Sequence, residues 1–228
     1  MTRTTCLTTA LILVSLVPQV GAAPAKYTIK TVEAAAPNDL KEPFRKLLSN
    51  QSVQLLDAKG AVLAEVWFRK EVPAKPKAEL PKTKADYGLL QETTFLGAIR
   101  FPKAFSDYRQ QSIKPGVYTM RLGIQPMNGN HMGTAPYNEF CLLMPADQDA
   151  SPDPLASGKE LNTKSKKASG TEHAAIMLLF PNPKPEEATN LASKGDGHWV
   201  LFGREEVSKD GQKVALGIGL TLVGHSPE

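Results

Sequence analysis

Two segments of this chain, Val117–Ile124 and Val214–Leu222, carry apolar residues at every second position. Because successive side chains of a β-strand point to opposite faces of the sheet, this period predicts two strands that each bury one face. The residues predicted to be buried are Tyr118, Met120, Leu122, Ile124, Val214, Leu216, Ile218, Leu220 and Leu222. We expect these two faces to press together within a single core.

The opposite face of the second segment contains Gly217 and Gly219. Glycine weakens an isolated strand, so two on one face predict that another backbone or a bulky ring approaches closely there. Trp67 and Trp199 are the large rings that could fill this space.

Further short apolar runs, separated by turn residues, raise the expected number of strands to about eight or nine. These runs are Val53–Asp57, Ala61–Arg69, Thr94–Phe101, Glu139–Met144, Ala174–Phe180 and His198–Arg204. One stretch, Asp39–Leu48, has helical character. Strands without alternating helices predict a mainly β protein, folded as an antiparallel sandwich or flattened barrel.

Two long segments have the composition of loops. Val72–Asp86 contains three prolines and four lysines, which predicts an extended, solvated excursion that joins no ladder. Pro145–Gly170 is polar and rich in Pro, Asp, Ser and Lys, and is expected to be mostly loop.

The segment Lys114–Leu122 (KPGVYTMRL) resembles the P-G-x-Y-x-L strand start of small exported β-sandwich modules, such as transthyretin-like and carboxypeptidase-regulatory-like domains. In this pattern Pro-Gly forms a turn and Tyr begins the buried face of the next strand. The chain also resembles uncharacterised exported bacterial β-sandwich proteins. The resemblance implies a fold class and no particular chemistry.

The first 25 residues have the organisation of a secretory signal peptide. Arg3 precedes an apolar run, Leu7–Val20, which is followed by small residues suited to cleavage after Ala23 or Ala25. Residues 26–228 are then predicted to form one domain, secreted or periplasmic, without a transmembrane segment.

The charge balance argues against a nucleic-acid partner. Without Arg3, 26 of the 27 Lys and Arg residues remain against 23 Asp and Glu residues, a net charge of +3. Nucleic-acid proteins concentrate basic residues on one face, because phosphate neutralisation supplies much of their affinity. The lysines here cluster in two loops without interleaved aromatic residues.

One neighbourhood gathers the residue types that bind copper. His131, Met132 and Cys141 lie within 11 positions of one another, near Met127 and Met144. Thiolate and thioether ligands select copper, but the Cys-His-Met spacing of blue-copper loops is missing. Copper is therefore an alternative, and the ordinary interpretation is that Cys141 and Met144 are core residues.

The sequence nominates no catalytic residue. It contains no nucleophile motif, and His173 and His198 have acidic neighbours only in sequence. Tyr108 and Tyr137 lie in predicted loops and are the candidates for an exposed ligand contact.

The sequence favours a non-enzymatic domain that binds a ligand or an envelope component through its loops. A metal-handling protein is the first alternative. A hydrolase with unidentified catalytic residues is the second.

Overall fold

The computed structural model describes residues 26–125, 135–195 and 197–226. The predicted signal peptide lies outside the described residues. The helices are α1 (Glu42–Leu47) and α2 (Gly158–Ser169), and a 3₁₀ turn covers Tyr87–Leu89. The strands are β1 (Tyr27–Glu33), β2 (Gln51–Asp57), β3 (Val62–Phe68), β4 (Val72–Pro73), β5 (Lys84–Ala85), β6 (Phe95–Phe101), β7 (Phe105–Ser106), β8 (Ser112–Ile113), β9 (Gly116–Ile124), β10 (Glu139–Pro145), β11 (Ile176–Pro181), β12 (Asn190–Ser193), β13 (Trp199–Lys209) and β14 (Gln212–Val223).

Most of these strands belong to one large sheet. Along its main path the order is β1-β2-β3-β6-β9-β10-β11-β14-β13-β12, with every neighbouring pair antiparallel. The short strands β4 and β5 join it in parallel with β13 and β14. The mainly β prediction is confirmed, but a purely antiparallel sheet was the wrong expectation, because the sheet is mixed.

The sheet curls until its two ends approach each other. The ring of Tyr27 on β1 packs edge to face on Trp199 at the start of β13, with centroids 5.5 Å apart. Phe68 on β3 lies against Gly203 on β13, where an added Cβ would come within 2.6 Å of the ring. The interior of the curl therefore holds the core.

The two alternating segments meet in that core, as predicted. Tyr118, Met120 and Leu122 of β9 belong to the same buried cluster as Leu216, Ile218, Leu220 and Leu222 of β14. Ile124 is the exception, because it lies at the end of β9 and is 44 % exposed.

The close approach predicted at the β14 glycines is confirmed. The prediction that Trp67 or Trp199 makes it is wrong. The main chain of Asn182 faces Gly217, and the Phe180 carbonyl and the Phe202 ring face Gly219. The two tryptophans lie elsewhere: Trp67 packs with α1 and Trp199 with Tyr27.

The two helices cover separate patches on the outside of the curled sheet. Phe44 of α1 packs against Trp67 and Phe95, and Leu161 of α2 packs among Phe140, Leu142 and Leu178. Among the described residues, no helix is both long enough and apolar enough to cross a bilayer.

Helix α2 contradicts the prediction that Pro145–Gly170 is mostly loop. The Ser157 hydroxyl accepts a hydrogen bond from the Glu160 N–H, and the Glu160 carboxylate accepts one from the Ala156 N–H. Gly170 ends the helix with φ +68°. These caps define a helix that its weakly apolar sequence does not suggest.

The Pro- and Lys-rich segment Val72–Asp86, called the strap below, is largely extended, but its ends join the sheet. Val72 pairs with Val207 on β13, and Ala85 pairs with Leu216 on β14, so the strap holds the β13–β14 hairpin from both sides. Val72 and Ala85 are buried. The expectation that this segment joins no ladder is therefore wrong at both ends.

Candidate functional site

The residues proposed for copper are only partly described. Cys141 lies on β10 with 1 % of its surface exposed, and burial raises the pKa of its thiol. His131 and Met132 lie outside the described residues. Within the part of the chain that the structure describes, no three His, Cys, Asp or Glu side chains gather into a metal-binding group. Copper binding stays a prediction.

The two tyrosines proposed for ligand contact have different surroundings. Tyr108 lies in a loop as expected, but only 3 % of it is exposed, and its ring packs near Phe140 and His198. Its expected exposure was wrong, because the loop folds onto the sheet and its N–H donates to the Ile176 carbonyl, 2.9 Å away. Tyr137 is half-buried against Phe180, and its binding role stays a prediction.

A buried ion pair lies on the outside of the sheet, under α1. Arg121 and Asp149 are both fully buried, and the guanidinium donates from Nε to one carboxylate oxygen at 2.8 Å and from a terminal nitrogen to the other at 2.9 Å. Thr119 also donates to this carboxylate, at 2.6 Å. The remaining Arg121 hydrogen bonds are accepted by backbone carbonyls, one of which is the Thr93 carbonyl. Both charges are satisfied internally, so this pair serves the fold.

A different site opens where the two ends of the curled sheet approach each other. A cleft of about 270 Å³ lies between β1 and β2 on one side and β13 on the other, with the residues that follow β3 at one end. We call it the seam cleft. Its charged residues are Arg69, Lys70, Arg204, Glu205 and Glu206, its uncharged polar residues are Thr31, Ser49, Gln51 and Thr189, and its apolar residues are Val53 and Phe68.

Glu205 is the unusual residue of the seam cleft. It lies on the inward face of β13, in phase with Leu201, Gly203 and Val207, and only 2 % of it is exposed. Its Oε1 accepts a hydrogen bond at 3.3 Å from the Arg69 N–H, which also donates to the Leu96 carbonyl at 2.9 Å, whereas its buried Oε2 has no partner among the described residues.

Burial also shifts the pKa of the Glu205 carboxyl. Desolvation raises the pKa of the carboxyl well above its ordinary value, and the Arg69 N–H and the positive charge of Arg69 only partly oppose this shift. The carboxyl is therefore biased toward its neutral form, in which the unpaired oxygen can act as a hydrogen-bond donor.

Arg69 supplies the second incompletely bonded group. One terminal nitrogen donates to the Phe95 carbonyl at 3.3 Å, and the guanidinium lies over the Phe95 ring at 5.9 Å. Its Nε is buried without a partner among the described residues. Desolvation lowers the pKa of Arg69, but a guanidinium keeps its charge at physiological pH.

The other charged residues lie at the rim of the cleft. Glu206 accepts from Arg204 at 3.4 Å and lies 3.6 Å from the Lys213 ammonium. Lys70 is exposed beside Arg69. The residues of the cleft include three cations, Arg69, Lys70 and Arg204, and Arg204 is paired with Glu206. The cleft is therefore suited to hydrogen-bond acceptors and to negative charge.

Glu205 and Arg69 were not among the candidates from the sequence. The sequence did contain a signal for Glu205. Every second residue of this strand is apolar at Leu201, Gly203 and Val207, and Glu205 is an acidic residue in the same inward-facing series. Nothing in the sequence placed Arg69 beside it, because the two residues are 136 positions apart.

Comparison of the chain with protein-family models, with curated proteins and with solved structures gave no match. The chemistry of the seam cleft therefore has to be inferred from its own residues.

Proposed function

We propose that this protein is an exported, non-enzymatic ligand-binding protein and that the seam cleft binds its ligand. The observation that carries the proposal is the buried Oε2 of Glu205, which lacks a partner among the described residues and belongs to a residue that lines an open cleft. Leaving a buried polar group unpaired costs about 1–3 kcal/mol. A ligand that bonds to this oxygen would recover that free energy.

The same proposal includes the finer architecture. Within the described residues no ladder joins β1 to β12, although Tyr27 and Trp199 bring the two ends of the sheet together. We treat the curl as a flattened barrel with one unpaired seam, at which the cleft opens. Export is supported by the signal-like sequence of residues 1–25.

Binding fits the site better than hydrolysis does. A raised carboxyl pKa suits a general acid, but glycoside hydrolysis needs a second carboxylate that faces the same bond. The other acidic residue lining the cleft is Glu206. Because it is adjacent to Glu205 on one strand, its side chain leaves from the opposite face of the sheet.

The test is a screen of purified protein by two-dimensional amide NMR. The screen uses separate sets of small sugars, polyols, amines, amides and carboxylic acids. We expect at least one set to shift the amide signals of Arg69 and Glu205 saturably, while the amide of Lys46 on α1 stays unchanged.

A blocking variant locates the response. Thr31 and Thr28 are both exposed on β1, but only Thr31 lines the cleft. Thr31→Trp should abolish the shifts and Thr28→Trp should retain them. Shifts that survive Thr31→Trp, or the absence of any response from all the sets, would contradict the proposed function.

A further inference from the structure

We infer that the ligand of the seam cleft is a small carboxylate, held by a hydrogen bond to the Glu205 side chain and by the positive charge of Arg69, and that its binding depends on pH. This inference rests on the proposed function and narrows it to one chemical class.

The first argument comes from hydrogen-bond donors. The Glu205 Oε1 already accepts from the Arg69 N–H, so in the neutral carboxyl the unpaired Oε2 is the oxygen free to carry the proton and donate it. The unpaired Nε of Arg69 can only donate. A Glu205 donor without an acceptor, together with the positive charge of Arg69, calls for a ligand that presents acceptor oxygens. A carboxylate offers two such oxygens and bonds well to guanidinium groups.

The second argument comes from charge. Arg69 and Lys70 are basic residues of the cleft, and Arg204 and Glu206, on the face of β13 opposite to Glu205, pair with each other. An anionic ligand compensates this excess of positive charge, whereas an amine would be repelled by it. A single carboxylate also suits a site in which one protonated carboxyl donates a hydrogen bond to one anion.

The third argument comes from size and shape. A volume of about 270 Å³ lies just below the range of drug-sized pockets, so the ligand has only a few carbon atoms. Phe68 and Val53 provide apolar contacts for a short aliphatic chain, and Thr31 and Thr189 provide hydroxyl groups.

The pH dependence follows from the groups around Glu205. Those in or near its surroundings are Arg69 and Lys70 after β3, Cys141 on β10, Tyr87 in the 3₁₀ turn, and Arg204 and Glu206 on its own strand. Burial raises the pKa of Cys141, so its thiol stays neutral near neutral pH, as does the phenol of Tyr87, while the arginines and the lysine stay charged. Glu205 is therefore the group whose ionisation removes a donor and places a negative charge beside the bound anion.

The experiment uses butyrate and butyramide, which have nearly the same size and differ in charge. Their binding is measured by amide NMR titration of the purified protein at about pH 6.5 and about pH 8.5, at both of which butyrate is ionised. We expect butyrate to shift the amides of Arg69 and Glu205 and to bind roughly tenfold or more tightly at the lower pH, because a hydrogen bond to a charged group is lost at the higher one. Butyramide should bind weakly and without pH dependence.

Two variants give the decisive readouts. Glu205→Gln keeps a donor that does not ionise, so it should bind butyrate almost equally at both pH values. Arg69→Gln should weaken butyrate roughly tenfold or more, and Arg69→Lys provides a second variant if the first does not fold. The exposed Arg109→Gln is the matched control and should bind like the parent protein.

The outcomes separate the two proposals. If butyramide binds the cleft as tightly as butyrate, or if Glu205→Gln keeps the pH dependence of the parent, the carboxylate inference is wrong and ligand binding by the cleft stands. Equal binding of inorganic phosphate would also overturn the carboxylate assignment. If neither these probes nor the wider screen shifts the cleft amides, both proposals are wrong.

Discussion

Replacing Glu205 with Gln tests whether burial keeps this carboxyl neutral, independently of any ligand. The substitution preserves the shape of the side chain and removes its ability to ionise. Because Glu205 is 2 % exposed, solvent does little to stabilise its charged form in the folded protein. In the unfolded chain the same carboxyl titrates near its ordinary pKa of about 4.3.

The expected magnitude follows from proton linkage. The folded-state pKa of Glu205 is raised above its unfolded value, so its contribution to stability is fully present below about pH 4.3 and is lost as the pH rises through the folded-state pKa. Between these two pKa values the unfolded chain releases a proton that the folded protein keeps. The parent protein should therefore lose about 1.4 kcal/mol of unfolding free energy per pH unit relative to Glu205→Gln.

Urea unfolding followed by circular dichroism at pH values from about 4 to 9 measures this difference. The other titrating groups are present in both proteins and cancel in the subtraction. The advantage of Glu205→Gln should grow with pH and then level off above the folded-state pKa. Glu33→Gln, at an exposed position of β1, is the matched control. A flat difference for Glu205→Gln would refute the assignment of a buried, neutral carboxyl.

Three further predictions concern other parts of the fold. Asp149→Ala should lower the free energy of unfolding in urea by about 3–5 kcal/mol, because it leaves a buried arginine without its counter-ion. Asp147→Ala, at an exposed position two residues away, is the control. Equal losses of stability in the two variants would contradict the role of the ion pair. The Cys141 thiol should react with Ellman's reagent no faster than the protein unfolds, because it is buried and burial raises its pKa, so rapid labelling in native buffer would contradict its placement. Gly203→Ala should destabilise the protein by about 1–3 kcal/mol, since its Cβ would lie 2.6 Å from the Phe68 ring; an unchanged thermal midpoint would show that the two ends of the sheet do not meet there.

The sequence revealed those parts of the fold that local pattern determines. Strands β9 and β14 were predicted because alternation reports burial of one strand face without knowledge of its neighbours. Helix α2 was missed because only Leu161, Ser165 and Ala168 of its 12 residues are buried, which leaves little periodic signal. Its caps at Ser157 and Gly170 were the available clue.

The candidate site was missed for a different reason. It depends on which distant strands lie opposite each other across the curl, and local patterns do not contain this information. An acidic residue in the inward phase of β13 marks Glu205 as unusual, but only the three-dimensional fold brings Arg69 to it. Conversely, Tyr108 looked exposed in the sequence because a polar loop does not show which of its side chains turns inward.

The strap has a consequence for how the chain folds. Residues 72–86 pair on both sides with a hairpin that begins more than a hundred positions later, so this part of the sheet forms only after a long stretch of intervening chain has been synthesised. Such distant pairing slows folding and leaves strand edges open for longer. The proposed export implies that the protein crosses a membrane as an unfolded chain. Late pairing of these strands would delay folding and so keep the polypeptide competent for translocation.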